Sequence, residues 1–167
     1  MDLTEALRAA GFEPTLNTDG EFQVLTGQYR CRWDALRPEK NRETKEVDRY
    51  HAEWVVQDTL EGEQATGRKF FRNYWKFGKD GHTNVEDMKK LCNDAFTVGV
   101  SLDTSSDPAF EQSFESVIGK ETFIRAWGWT PEKSADGSFL PEEQRKTIQQ
   151  FTIRQEKNMK AKKGSGS

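Results

Sequence analysis

Along this chain, hydrophobic residues alternate with polar ones in several stretches and recur at helical spacing in two others. Tyr29, Cys31 and Trp33 alternate with Gln28, Arg30, Arg32 and Asp34, a period of two that predicts a first strand over residues 24–36. Tyr50, Ala52, Trp54 and Val56 share one face of a second strand over residues 49–60, closed by a turn at Glu61-Gly62-Glu63. Gly67 opens a third strand that ends at Gly78. Over residues 84–98 the period changes. Val85, Met88, Leu91, Cys92, Ala95 and Phe96 recur at helical spacing, and Asn84 with Asp87 has the pattern of a capping box. A short second helix is predicted over 109–117, stopped by Gly119. A fourth strand over 120–130 carries Phe123, Arg125, Trp127 and Trp129 on one face. A fifth, over 147–153, sets Ile148, Gln150 and Thr152 against Gln149, Phe151 and Ile153. Ahead of these, residues 2–10 predict a short helix with Gly11 as its stop.

Three strands, a helical insert and two more strands predict a mainly β domain with an α insert, an OB-like five-stranded barrel with the helical segment between strands 3 and 4. Such a barrel binds oligonucleotides on the face of strands 2 and 3, framed by the loops joining strands 1–2 and 4–5. Those loops are expected at residues 37–48 and 131–145. The first is highly charged and reads as solvated and flexible; the second contains Asp136-Gly137 and Pro141. The organisation follows: an N-terminal helix and lead-in over 1–23, the OB-like domain over 24–155, and a flexible basic tail over 156–167. Within that tail Gly164-Ser165-Gly166-Ser167 reads as a synthetic linker.

Composition sharpens this picture. Only 34% of the residues are hydrophobic and 32% are charged, yet five Trp and eleven Phe are present, so aromatics must supply much of the core. Net charge is −3, and residues 154–163 hold five cations and one acid, leaving the rest at −7. A mildly acidic body argues against coating a duplex and for a confined basic groove. Two isolated cysteines without metal-type spacing imply free thiols and a reduced, cytoplasmic setting. Neither a secretory signal nor a membrane-spanning run is read from the sequence.

The densest chemistry lies in Arg68-Lys69-Phe70-Phe71-Arg72-Asn73-Tyr74-Trp75-Lys76-Phe77, with five aromatics and four cations in ten residues. As a strand it places Phe71, Asn73, Trp75 and Phe77 on one face and Phe70, Arg72, Tyr74 and Lys76 on the other. The first set is expected to pack inside; the second, alternating aromatic with basic, is expected to bind. A one-residue slip would exchange them. Cations for phosphates and flat rings for unstacked bases are what single-stranded nucleic acid requires.

The residues Gly27-Gln28-Tyr29, Glu53-Trp54-Val55-Val56, Glu61-Gly62, Gly67-Arg68-Lys69-Phe70 and Val117-Ile118-Gly119-Lys120 form a pattern that resembles small bacteriophage single-stranded DNA-binding proteins. In that family a strand ending in Glu-Gly precedes a Gly-Arg strand, and an Ile-Gly-Lys turn follows a helical insert. The resemblance spans residues 27–153. It implies an OB-like fold, coating of single-stranded DNA during phage replication or recombination in the host bacterial cytoplasm, and phage replication or recombination proteins as partners. The chain departs from the family at its end, where Lys160-Ala161-Lys162-Lys163 stands in place of an acidic tail.

The expected function is therefore largely sequence-independent binding of single-stranded DNA, with RNA and an oligomeric state left open. The nucleic-acid-binding set is Arg30, Arg32, Arg68, Lys69, Phe70, Arg72, Tyr74, Trp75, Lys76, Arg125 and Trp127. The rival is a β-rich module that binds a host or phage protein; a carbohydrate-binding module is a third reading. Enzymatic activity is not expected. His51 and His82 lack ligand-spaced partners, no cofactor motif appears, and Glu53, Asp58, Glu61 and Glu63 read as solvated carboxylates in preference to a metal nuclease site.

Overall fold

A computed structural model describes residues 2–11, 24–134 and 137–159. Its frame is a long antiparallel hairpin, β1 (Gly27–Lys40) with β2 (Val47–Gly62). The alternating aromatics set its inner face: Tyr29, Cys31, Trp33, Tyr50, Ala52, Trp54 and Val56 are all buried. Register shifts at four points along β1 break the ladder, and such bulges increase bending and coiling. At the open end of the hairpin Gly27 stands opposite Gly62, where the backbones nearly touch. A Cβ on Gly27 would lie 2.0 Å from the Glu61 carbonyl oxygen, and one on Gly62 2.3 Å from that of Thr26. Both positions also have positive φ, at 156° and 101°, so glycine is required twice over.

The charged stretch expected to be a loop over 37–48 is half strand. Arg37 to Lys40 extend β1, leaving a turn whose Asn41 side chain accepts hydrogen bonds from the Glu43 and Thr44 amides. A solvated strand end and a loop share one polar composition; cross-strand pairing of Arg37 with His51 and Glu39 with Arg49 makes the difference.

β3 (Lys69–Trp75) pairs with β2, β4 (Glu121–Trp129) with the other side of β1, and β5 (Ile148–Arg154) with β4. The result is one five-stranded antiparallel sheet in the order β3-β2-β1-β4-β5. Its edge strands are not hydrogen-bonded as a ladder, but side chains join them. Phe70 and Phe151 have ring centroids 5.0 Å apart, and Arg72 donates to the Phe151 carbonyl while lying 4.0 Å above its ring. Trp54 also meets Phe151, at 5.5 Å, so one aromatic core runs from β1 through β2 to both edges.

Of the helices, α1 (Leu3–Ala9) is exposed throughout. α2 (Val85–Thr97) covers the gap between β3 and β5, burying Leu91 and Ala95. Asn84 caps it by accepting from the Asp87 amide. Asp87 does not reach back to complete a capping box; it accepts from the Trp75 amide and ties the helix to the end of β3. Val85 and Phe96, expected on the buried stripe, are exposed because the contact with the sheet is narrow. α3 (Asp107–Gln112) continues into a 3-10 turn, where Phe110 and Phe114 pack edge-on against Tyr50. The lead-in over 12–23, Asp136 and the basic cluster after Met159 lie outside the described residues.

Candidate nucleic-acid interface

The register between β2 and β3 decides which face of the aromatic strip is presented. Tyr50, Ala52 and Trp54 point inward and stand opposite Tyr74, Arg72 and Phe70. Paired residues share a face of the sheet, so the set expected to bind nucleic acid is the buried one. This corrects the assignment of Phe70, Arg72 and Tyr74. Phe70 and Tyr74 belong to the core. Arg72 is tolerated among them because Asp94 of α2 meets it at 3.1 Å and Phe151 supplies both a carbonyl and a ring. Tyr74 donates its hydroxyl to the same carboxylate. Burial, then the Asp94 charge, pushes the Tyr74 hydroxyl well above the ordinary tyrosine value. Burial also raises the Asp94 carboxyl, against the pull of Tyr74 and Arg72.

The outer face carries what was expected inside. Phe71 is 50% exposed and Trp75 44%, with Asn73 between them and Lys69 ahead. Same-face positions of a strand recur about every 7 Å, so Phe71 and Trp75, two such steps apart with Asn73 between them, stand as separate platforms about 14 Å apart. β2 lays polar groups alongside. The Arg49 guanidinium lies 5.5 Å from the Trp75 ring centroid and contacts Asp48 at 2.8 Å. His51 stacks on Phe71 at 6.0 Å and 27°, with its ring nitrogens 2.8 Å from Asn73 Oδ1 and 3.0 Å from Glu53 Oε2. Glu53 sits beneath cationic heads: Lys69 at 3.1 Å and Arg37 at 3.3 Å. Burial opposes its ionisation, but hydrogen bonds from Lys69 and His51 outweigh it and hold the carboxyl below the ordinary glutamate range. Glu53, through its hydrogen bond, and then Asp34 hold the Lys69 ammonium above the ordinary lysine value.

The remaining expected residues scatter. Arg30 spans Asp58 at 3.8 Å and Glu121 at 3.7 Å, and Arg32 meets Asp34 at 3.2 Å. Arg68 is half-buried beside the seam between β3 and β5. Lys76 turns away from the strip to Asp107 at 2.7 Å, on the wall of a cleft of about 630 Å³ between α2 and α3. Trp127 and Arg125 lie on the outer face of β4. Of the expected set, Arg125 and Trp127 share a groove on β4, while Lys69 and Trp75 alone join the exposed cluster on β2 and β3. Arg49, His51, Phe71 and Asn73 complete it, and none of these four was singled out for binding. Arg49 and His51 could have been found as the outward partners of Tyr50 and Ala52 in the same period-two pattern. The acidic residues Glu53 and Asp58 each converge on cations and not on one another.

No protein-family model matches the chain, and no curated protein matches it in sequence. Among the described residues no helix is long and apolar enough to cross a membrane.

Proposed function

We propose that this protein binds single-stranded nucleic acid, with single-stranded DNA as the principal ligand, on the outer face of β2 and β3. The observation that carries this reading is the pair of exposed rings, Phe71 and Trp75, held on one face beside Arg49, Arg37 and Lys69. Bases stack on the rings and the cations meet phosphates, without sequence readout. The strand order supports an OB-like, partly open barrel, in which strands 2 and 3 form the binding face. The resemblance to phage single-stranded DNA-binding proteins supports a role in replication or recombination within a host bacterium, alongside partner proteins of those processes. Its Gly27 and Glu61-Gly62 elements fall where the hairpin backbones come too close for any side chain.

Titration of the intrinsic tryptophan fluorescence with oligo-dT at two salt concentrations tests the proposal. Saturable quenching is expected, with affinity falling by a log–log slope of about −0.7 per phosphate neutralised. Phe71→Ala and Trp75→Ala should each weaken binding by about 1–3 kcal/mol. The rival, a protein-interaction module, draws on the ion-pairing of Arg37 and Lys69 and on the net acidity. An absence of binding at low salt, confirmed by gel shift, would overturn the single-strand reading and favour that rival.

A further inference from the structure

The outer face of β4 and β5 repeats the chemistry of the β2–β3 strip without sharing its ion pairs. Trp127 is 39% exposed and Trp129 54%; two residues apart on the strand, they point to the same side. Gly128 between them is held by its surroundings, since a Cβ there would stand 2.7 Å from Thr147 Cγ2 and 3.0 Å from Val24 Cγ1. The β5 residues opposite are Gln150 and Ile148, and further along Thr152 stands opposite Arg125 and Arg154 opposite Phe123. Arg125, Arg154 and Trp127 line one shallow groove with Gln28 and Glu61, whose carboxylate is engaged by the Gln28 amide. Among the described residues neither Arg125 nor Arg154 forms an ion pair, whereas Arg30, Arg32, Arg37 and Lys69 all do. Two exposed indoles on one face, Trp127 sharing a groove with two arginines whose two positive charges exceed the single Glu61 carboxylate there, fit a single strand through stacking and phosphate contact.

This surface is separated from the β2–β3 strip. Across β2, β1 and β4 run Asp58, Arg30 and Glu121, with Arg32 and Asp34 on the next outward turn of β1. The Asp58 and Glu121 side chains are 52% and 54% exposed, so a phosphate chain crossing there meets carboxylates. We infer that β4–β5 is a second, distinct single-strand-binding surface, so that one protomer holds two short single-stranded segments at once. The inference rests on the single-strand reading above and adds the number of segments held.

The stoichiometry of a labelled oligo-dT of about five nucleotides, near the lower site size of one OB fold, tests it in the full-length protein. Two equivalents per protomer are expected. Trp127→Ala/Trp129→Ala and, independently, Arg125→Gln/Arg154→Gln should each abolish the second equivalent or weaken it at least tenfold, leaving the first unchanged. Phe71→Ala/Trp75→Ala should leave the other. All the substituted groups are wholly or partly solvent-accessible, and circular dichroism checks that each variant remains folded. One equivalent in the wild type, lost with Phe71→Ala/Trp75→Ala and indifferent to the β4 changes, overturns the second surface and leaves the proposed function standing. One equivalent lost only with the β4 changes overturns the two-surface arrangement and moves the binding site. No equivalents at any salt overturns the single-strand reading itself.

Discussion

Arg72 and Glu53 show how one charged side chain can mean opposite things depending on which face of a strand it occupies. Arg72 is enclosed by Asp94, Tyr74 and Phe151, and removing one member of a buried pair leaves the other charge uncompensated. Arg72→Ala is therefore expected to cost about 3–5 kcal/mol, read from urea unfolding, while oligo-dT affinity per folded molecule stays unchanged. A loss of affinity with unaltered stability would return Arg72 to the binding face. Glu53 responds to pH instead. Its carboxyl is held below the ordinary glutamate value near 4.3, so the stability it contributes is present above that value and is lost as pH falls through the lowered native one. Asp94, raised by burial, acts with the opposite sign: its contribution is complete below the unfolded value and declines as pH rises through the native one. Glu53→Gln should consequently flatten the acid limb of a stability–pH profile measured by urea midpoints. An unchanged acid limb would mean that Lys69, His51 and Arg37 do not hold this carboxylate in solution.

At the scale of elements, α2 is fixed by two adjacent devices, the Asn84 cap and the bond from the Trp75 amide to Asp87. Asn84→Ala should cost about 1 kcal/mol, the usual worth of an N-cap, with little effect on binding. Asp87→Ala is expected to do more, because it frees the end of β3 that carries Trp75; the check is a fall in both melting temperature and oligo-dT affinity. If Asp87→Ala leaves affinity intact, the helix does not position the strip. These same elements show what sequence could and could not supply. The strands were legible because Tyr29, Cys31 and Trp33, or Tyr50, Ala52 and Trp54, alternate strictly with polar neighbours, and a period of two has one structural solution. β3 was legible as a strand but not as an oriented one, since aromatics occupy both of its faces and period alone cannot choose. Arg72 tipped the expectation outward; its partner Asp94 lies 22 residues away on α2, beyond the reach of any local pattern. The bond from the Trp75 amide to Asp87 is likewise a tertiary contact, made by a residue that resembles half of a helix cap in sequence. Register supplied the missing information: once Tyr50 and Trp54 are inside, their partners Tyr74 and Phe70 must be too.

At the scale of the whole molecule, the five tryptophans divide into two populations with different work. Trp33 and Trp54 are fully buried with ring centroids 4.8 Å apart, at the centre of the core that reaches both sheet edges. Trp75, Trp127 and Trp129 stand outside, two of them beside arginines: Arg49 over Trp75, and Arg125 with Trp127 in one groove. The molecule as a whole carries a net charge of −3, so its long-range field should repel anions. The local field at the exposed indoles should attract them, because the nearest charges lie well within a Debye length of about 10 Å at 0.1 M salt. Ionic quenchers separate these two fields. Iodide and caesium are each calibrated on a free indole at the same ionic strength. Iodide is then expected to quench the exposed fraction more efficiently than caesium, leaving the Trp33–Trp54 emission untouched by either. The difference should shrink as salt rises, and saturating oligo-dT should abolish iodide access to Trp75. Caesium equalling or exceeding iodide would mean that net charge governs the surface. Stacking would then act without phosphate attraction, a combination that favours a protein partner over a nucleic acid.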